Sequence, residues 1–331
     1  MGWSLSEEHR LPGILFDTDA GIDDVVALLI LLTMAPERLR ILTAVHGNFT
    51  VEEVVDTVRG LLYIAPSECA PLVVKGSYSP PQDVLQRRRS FHGKRSPGNF
   101  VFPRVSKDAC VVRSGTDEMV RAVKTHGVDT IIACGPLTNI AAFKKQKAEL
   151  SVGRIVISGG WFHEDAVAGG YPDFNISADP EGAEAVFSLP AETVLVPLKV
   201  SARCFLKPDD ISYLGWNNSL LSGFLKHIVQ FGCAASYERF GCERCFMHDA
   251  VCALVALEPG LAEYEEACVS VMLSGPERGM LKRDCNGNQI NLCTDIDIIR
   301  CKSLLLEILR RLIYYDPRGN SRPDPRPDRY C

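Results

Sequence analysis

An open, mainly parallel α/β sheet flanked by helices is the fold this sequence predicts, on three observations. Through the first 200 residues, short runs rich in β-branched residues alternate with stretches of helical periodicity. Those short runs are apolar from end to end, the mark of strands covered on both faces. No linker-like break and no internal repeat interrupts the chain before its Pro- and charge-rich end. Residues 1–316 therefore read as a single domain and 317–331 as a disordered tail.

Taken in order, GILFDTD (13–19) is a buried strand that runs straight into the helix IDDVVALLILLTM (22–34). RILTAVHG (40–47) is a second strand and VEEVVDTVRGLLYIA (51–65) a second helix. Strands follow at 71–76, 129–135, 154–160 and 192–198, with helices at 115–127, 136–149 and 180–188. Right-handed crossovers put the C-terminal ends of parallel strands on one edge. In Rossmann-like sheets ligands bind along that edge. Beyond residue 200 the pattern turns more helical, at 220–240 and 249–257 and in the amphipathic run 301–316, and this part is expected to pack on the ligand edge. The runs 264–273 and 289–297 read as strands that add an antiparallel portion. The polar stretch 77–107 is long for a connection in a compact domain, which marks a lid or a disordered segment. Its arginine run, QRRRS, reads as a solvated charge cluster before it reads as a phosphate site.

Composition excludes several classes of function. A formal charge of -5 leaves no basic footprint for nucleic acid. No apolar run approaches the ~18 residues that span a bilayer, so neither a membrane nor a nucleic acid is an expected partner. The start, MGWSLSEEHR, lacks the apolar core of a signal peptide, and its match to a myristoylation pattern through Gly2 and Ser6 is one that chance often produces. Thirteen cysteines are scattered, several of them inside apolar runs, as Cys134, Cys252 and Cys268 are. Free thiols in a reducing cytoplasm fit that distribution better than a secreted disulfide framework. The CxxC of Cys242 and Cys245 has no second pair at zinc-finger spacing.

The chemistry concentrates at the end of the first strand. Asp17, Asp19, Asp23 and Asp24 supply four carboxylates in eight residues. Asp17 and Asp19 share one face of a strand, and Gly21 permits a sharp turn into the helix. Asp23 and Asp24 then occupy the first helical turn, where the dipole stabilises them and where simple capping would explain them. Capping does not explain Asp17 and Asp19, since carboxylates at the end of a buried strand repel each other without a cation. Oxygen donors with no adjacent histidine or thiol favour a hard ion, calcium or magnesium. Calcium's irregular, higher coordination suits ligands drawn from scattered segments. A haloacid-dehalogenase-like phosphatase shares the DxD but places its helper acids later in the chain, and no GxxxxGK[ST] supports a nucleotide loop. A metal-assisted hydrolase acting on something other than phosphate remains.

DTDAGIDDVVALL resembles the DxDPGxDDxxAL signature of the inosine-uridine-preferring nucleoside hydrolases. Five more segments agree in order and spacing: HGNFT (46–50), FHGK (91–94), CGPLTNIA (134–141), ISGG through PDFNISADPEGA (157–183), and MHDAVCAL (247–254). The resemblance implies calcium-dependent hydrolysis of the N-glycosidic bond of ribonucleosides and a homodimer or homotetramer. Asp19, Asp24, Asp249 and the backbone carbonyl of Cys134 would hold the calcium ion, and Asp19 would also be the base that takes a proton from water. Asp17 would support this set from behind. Asp23, Asn48 and Asn175 would hold the ribose 2′- and 3′-hydroxyls, and His248 would assist the departing base. His92 would lie near the base or the ribose 5′ end, and Asp173 would meet the 5′-hydroxyl. Tyr237, Arg239 and Arg244 would stand near the base. Taken singly, His248 reads as a surface residue and Asn48 and Asn175 as turn residues; their motifs turn each toward function.

The chain departs from the family pattern at Ala20 (usually proline), Asp173 (glutamate), Val167 (asparagine) and Lys199 (aspartate). These leave the proposed metal set intact and bear on substrate preference. Two further readings follow: a hydrolase of another N-riboside, and a nucleoside- or ribose-binding protein that keeps the metal site without catalysis. Retention of Asp19, Asp24, His248 and Asp249 argues against the second.

Overall fold

The computed structural model describes residues 11–65, 69–76, 89–106, 110–147, 150–165, 173–215 and 219–314. The expected tail, Val167, the start of the chain and residues 77–88 lie outside them. Ten strands form one sheet in the order β11-β10-β12-β7-β6-β5-β1-β2-β3-β4. They are β1 (Gly13–Thr18), β2 (Leu39–Ala44), β3 (Leu72–Lys75), β4 (Val112–Ser114), β5 (Val128–Ala133), β6 (Arg154–Ser158), β7 (Glu192–Val196), β10 (Ala262–Val271), β11 (Leu281–Arg283) and β12 (Asn288–Ile296). From β4 across to β12 every pairing is parallel, and β10 joins β12 and β11 antiparallel. A separate two-stranded ribbon pairs β8 (Phe205–Leu206) with β9 (Cys245–Phe246). The predicted fold, parallel with an antiparallel addition, is the one observed.

The helices are α1 (Ile22–Met34), α2 (Val51–Ile64), α3 (Thr116–Thr125), α4 (Ala142–Lys145), α5 (Phe174–Ala178), α6 (Pro180–Phe187), α7 (Leu198–Ser201), α8 (Pro208–Leu214), α9 (Leu220–Phe240), α10 (His248–Leu257) and α11 (Ile298–Tyr314). Two apolar clusters cover the two faces of the sheet, one joined by Ile14 and Phe16 and the other by Leu15. Alternate residues of β1 therefore feed opposite cores, which is why the strand is apolar from Ile14 to Phe16 before it reaches Asp17. Helix α1 is buried from Ile22 to Leu32, packed against α9, α10 and α11 as well as the sheet side. Leu29, fully buried there, gives a direct measure of this core. Leu29→Ala is expected to cost about 2–5 kcal/mol, read as a lower urea midpoint with an unchanged slope.

Two expectations need correction. The helix expected over 136–149 is a series of turns ending in the four residues of α4. Asn139 turns its amide into the sheet edge, onto Asp17 (2.9 Å) and the carbonyl of Ala44 (3.2 Å), and the bonds after it are mixed i+3 and i+4. Nor does Gly21 make the turn from β1 into α1. Its φ is -62°, open to any residue, whereas Ala20 takes φ 58°. A proline could not adopt that angle. Gly21 is needed for space instead: a Cβ there would lie 2.4 Å from Asn48 Nδ2 and 2.8 Å from His92 Nδ1.

Strand β1 lies between β2 and β5, so the chain winds outward in both directions from it. Such a reversal leaves a crevice at the carboxyl ends of the strands. The acidic cluster stands at that crevice. Among the described residues, no helix is long and apolar enough to cross a membrane.

Candidate active site

The cluster divides as the chain leaves β1. Asp17, still in the strand, accepts from Asn139 Nδ2 and the Thr43 hydroxyl, and burial pushes its carboxyl up to about 7. It does not line the pocket described below. Asp19 is fully buried and receives Asn48 twice, from the backbone N–H (2.8 Å) and from Nδ2 (2.7 Å). Gly47 makes this approach possible, since a Cβ there would sit 1.9 Å from Asp19 Oδ2.

Asp24 does cap α1, accepting from Gly21 N–H (2.9 Å), yet its other oxygen takes the Thr18 hydroxyl at 2.6 Å. Asp249 arrives from the first turn of α10, with its backbone N–H 3.5 Å from Asp23 Oδ2. Asp23, Asp24 and Asp249 are all buried, and each offers a carboxylate oxygen within 4.8 Å of the others. Burial first, and then the charge of Asp23, raises the carboxyls of Asp24 and Asp249, the latter well above the usual carboxylate range. Three such groups together call for a proton or a cation.

The donor set fits a hard divalent ion. The Cys134 carbonyl accepts from Asn175 Nδ2 at 3.0 Å and keeps a second lone pair. Its thiol stays protonated, raised well above the ordinary range by burial, by Cys252 and by the charges of Asp249 and Asp24. Only oxygen is then on offer. Geometry groups Asp23, not Asp19, with Asp24 and Asp249, while Asp19 stands beside Asp24 with both oxygens turned to Asn48.

A cavity of about 500 Å³ opens onto two of the trio, Asp23 and Asp249. Asp23, Asn48, His92, Cys134, Asp173, Asn175, His248 and Asp249 all line it, so eight of the ten candidate residues meet there; Asp19 and Asp24 lie behind the wall. Asn175 Nδ2 bridges the ends of β5 and β6 through the carbonyls of Cys134 and Ser158 (3.1 Å). His92 Nδ1 accepts from Ile22 N–H (3.1 Å), which ties the 89–92 segment to the start of α1. Asp173 is the N-cap of α5, with Oδ2 accepting from Ile176 N–H at 2.9 Å. His248 places Nδ1 2.7 Å from the Ser201 hydroxyl and stacks on Phe246, ring centroids 5.6 Å apart.

The remaining sequence candidates divide. Lys199 and Arg239 line the pocket and are exposed. Tyr237 is exposed away from it, and Arg244 lies over the Phe205 ring at 4.5 Å. In the arginine run, Arg89 pairs with Glu53, the capping residue of α2. Cys245 is buried in the pocket wall, and both it and Cys242 are free thiols.

Sequence reasoning missed the aromatic wall. Phe91, Phe240, Phe246 and His248 form a run of ring contacts along the pocket, and Trp161 and Phe174 also line it. The signal was present: FHGK, SGGW, DFN and CFMHD each set an aromatic beside a motif residue. Ser201 was missed too, two residues beyond Lys199.

Buried carboxylates that could hold a metal, at the switch point of a parallel sheet beside an aromatic-walled pocket with a histidine, define a candidate enzyme site for a small ring-bearing ligand. The chain belongs to the inosine-uridine preferring nucleoside hydrolase family, whose model matches residues 14–303. It is 30% identical over 272 residues to a probable uridine nucleosidase 2 of Arabidopsis thaliana, covering 81% of this chain and 84% of that one. It is also 30% identical over 316 residues to a non-specific ribonucleoside hydrolase of Escherichia coli, covering 91% and 98%. Among solved structures, a plant nucleoside hydrolase, PpNRh1, superposes with TM-score 0.79 at 26% identity, covering 90% of this chain and 99% of that one. A purine-preferring ribonucleoside hydrolase from Gardnerella vaginalis shares the fold, with TM-score 0.81 at 23% identity, covering 91% and 99%. The chain is thus an N-glycosyl hydrolase of a metal-dependent family that acts on small ribonucleosides.

Proposed function

We propose that this enzyme is a calcium-dependent ribonucleoside hydrolase that releases free base and ribose. The observation that carries the reading is the buried trio Asp23, Asp24 and Asp249, within 4.8 Å of one another beside the pocket that His248 lines. Asp24, Asp249 and the Cys134 carbonyl would hold the ion, together with Asp19 once it turns from Asn48. When bound, the ion lowers the pKa of water held at the site. Asp19 takes a proton from the attacking water. Asp23, Asn48 and Asn175 hold the ribose 2′- and 3′-hydroxyls, which favours an oxocarbenium-like transition state at the anomeric carbon. His248 supplies a proton to the departing base while the aromatic wall stacks against it. Asp173, which caps α5 at the pocket wall, meets the ribose 5′ end, and His92 borders the ribose through its seat on α1.

Reducing-sugar release from a panel of purine and pyrimidine ribonucleosides tests this. Chelated protein should lose turnover and calcium should restore it. No release by folded, calcium-loaded protein would refute the reading, and binding without release would favour a non-catalytic receptor. Release confined to another N-riboside would instead favour the alternative that Val167 and Asp173, which depart from the family pattern, motivate.

A pH dependence follows from the raised carboxyls of Asp24 and Asp249. The metal-free fold holds their protons more tightly than the unfolded chain does. Its stability is therefore greatest below the unfolded carboxyl pKa of about 3.9 and falls as pH rises through the raised folded values. Calcium binds the deprotonated acids and reverses that trend. The gap in Tm between calcium-loaded and chelated protein should widen from about pH 5 to about pH 8. A gap that stayed constant would remove these two carboxylates from the ion's ligands.

A further inference from the structure

We infer that Ser201 is a positioning residue for His248, one that fixes the ring nitrogen with which His248 acts. The inference rests on His248 being the group that assists the leaving base. Ser201 ends α7 and is fully buried, with its hydroxyl 2.7 Å from His248 Nδ1. The same hydroxyl lies 3.2 Å from the carbonyl oxygen of Pro197 and 3.5 Å from that of Leu198. Carbonyls only accept, and with the single hydroxyl proton turned to the backbone the serine oxygen is left to accept from Nδ1–H, the direction this inference assigns. Phe246 lies against the ring at 18° between planes. One edge and one face of the imidazole are thereby set, and the reacting role falls to Nε2.

This direction of hydrogen bonding suits the whole turnover. When His248 acts as an acid, Nε2–H faces the base while Ser201 accepts from Nδ1–H. As the C1′–N bond breaks, its electron pair goes to the base and the Nε2 proton goes to the base nitrogen. The ring is left neutral with Nδ1–H still donating to Ser201. The hydroxyl need not rotate at any stage, so the ring keeps its orientation through the step.

The test compares Ser201→Ala, Ser201→Thr and His248→Ala in the calcium-loaded full chain. Two substrates are used: uridine, whose base leaves poorly without a proton, and p-nitrophenyl β-D-riboside, whose phenolate leaves unaided. Ser201→Ala should lower kcat on uridine by roughly ten- to a hundred-fold, part of the 10²–10⁴-fold that a positioned acid supplies. KM should stay within about twofold and turnover of the phenyl riboside within about threefold, since ground-state binding is untouched. Threonine, which keeps the hydroxyl, should restore uridine turnover. Equal loss on both substrates, no loss on either, or no rescue by threonine would overturn the inference while leaving a selective His248→Ala effect in place. If His248→Ala is itself unselective, the reading beneath the inference has failed instead. Should the alanine variant not fold, Ser201→Cys keeps the volume with a weak hydrogen-bonding group, and the same selective loss is required of it.

Discussion

Asp19→Ala is expected to abolish turnover, lowering kcat on ribonucleosides by on the order of 10³-fold or more with the fold retained. Two losses combine in this one change. The first is chemical: the carboxylate proposed to take the proton of the attacking water is gone. The second is structural. Asp19 accepts both the backbone N–H and the side-chain amide of Asn48 in a fully buried setting. Truncation strands those donors, at about 1–3 kcal/mol for each unsatisfied group, and releases Asn48 from the pocket wall. Asp19→Asn separates the two, because it keeps volume and part of the bonding but cannot take a proton. Kinetics should show both variants nearly inactive, while calcium-loaded thermal melts should show the alanine variant clearly less stable than the asparagine variant. Alanine activity within tenfold of the parent would disprove the role of Asp19 as base.

The strands and the acidic cluster were legible in the sequence for a physical reason. A strand buried on both faces must be apolar throughout, and carboxylates at its end stand out against that background. The geometry within the cluster was not legible. Why position 21 must be glycine depends on crowding by Asn48 and His92, and those residues come from other parts of the chain. The extended helix expected after Gly135 failed likewise, because Asn139 is drawn to Asp17 and the carbonyl of Ala44 across the sheet edge. Eight candidate residues do meet at one pocket, since motifs that end strands or begin helices at one edge converge there whatever their spacing. The aromatic wall could not be assembled in advance. Phe240 ends α9 and Phe246 lies in β9, and only the turn between them brings their rings within 6.4 Å.

His248→Ala should slow the enzyme in proportion to how badly the base needs a proton. Cleavage of the C1′–N bond hands an electron pair to the base, and an unprotonated base anion is a poor leaving group. A positioned acid is worth about 10²–10⁴-fold in such a step, and that factor should disappear for ordinary nucleosides. It should shrink to a small effect for a riboside whose leaving group is a stable anion. In the proposed roles, His248 and the carboxylates act on opposite needs of the reaction. Asp249 is the next residue in α10 and belongs to the buried trio, whereas His248 is half-buried, stacked on Phe246 within the aromatic wall. Loss of the imidazole therefore leaves the proposed ligands of the ion in place, and calcium affinity measured by titration should change by less than about threefold, in contrast to the 10–100-fold that loss of a ligand-supporting group costs. A plot of log kcat against leaving-group pKa should be nearly flat for the parent and steeply negative for the variant. Parallel lines would mean that proton delivery comes from some other group in the pocket.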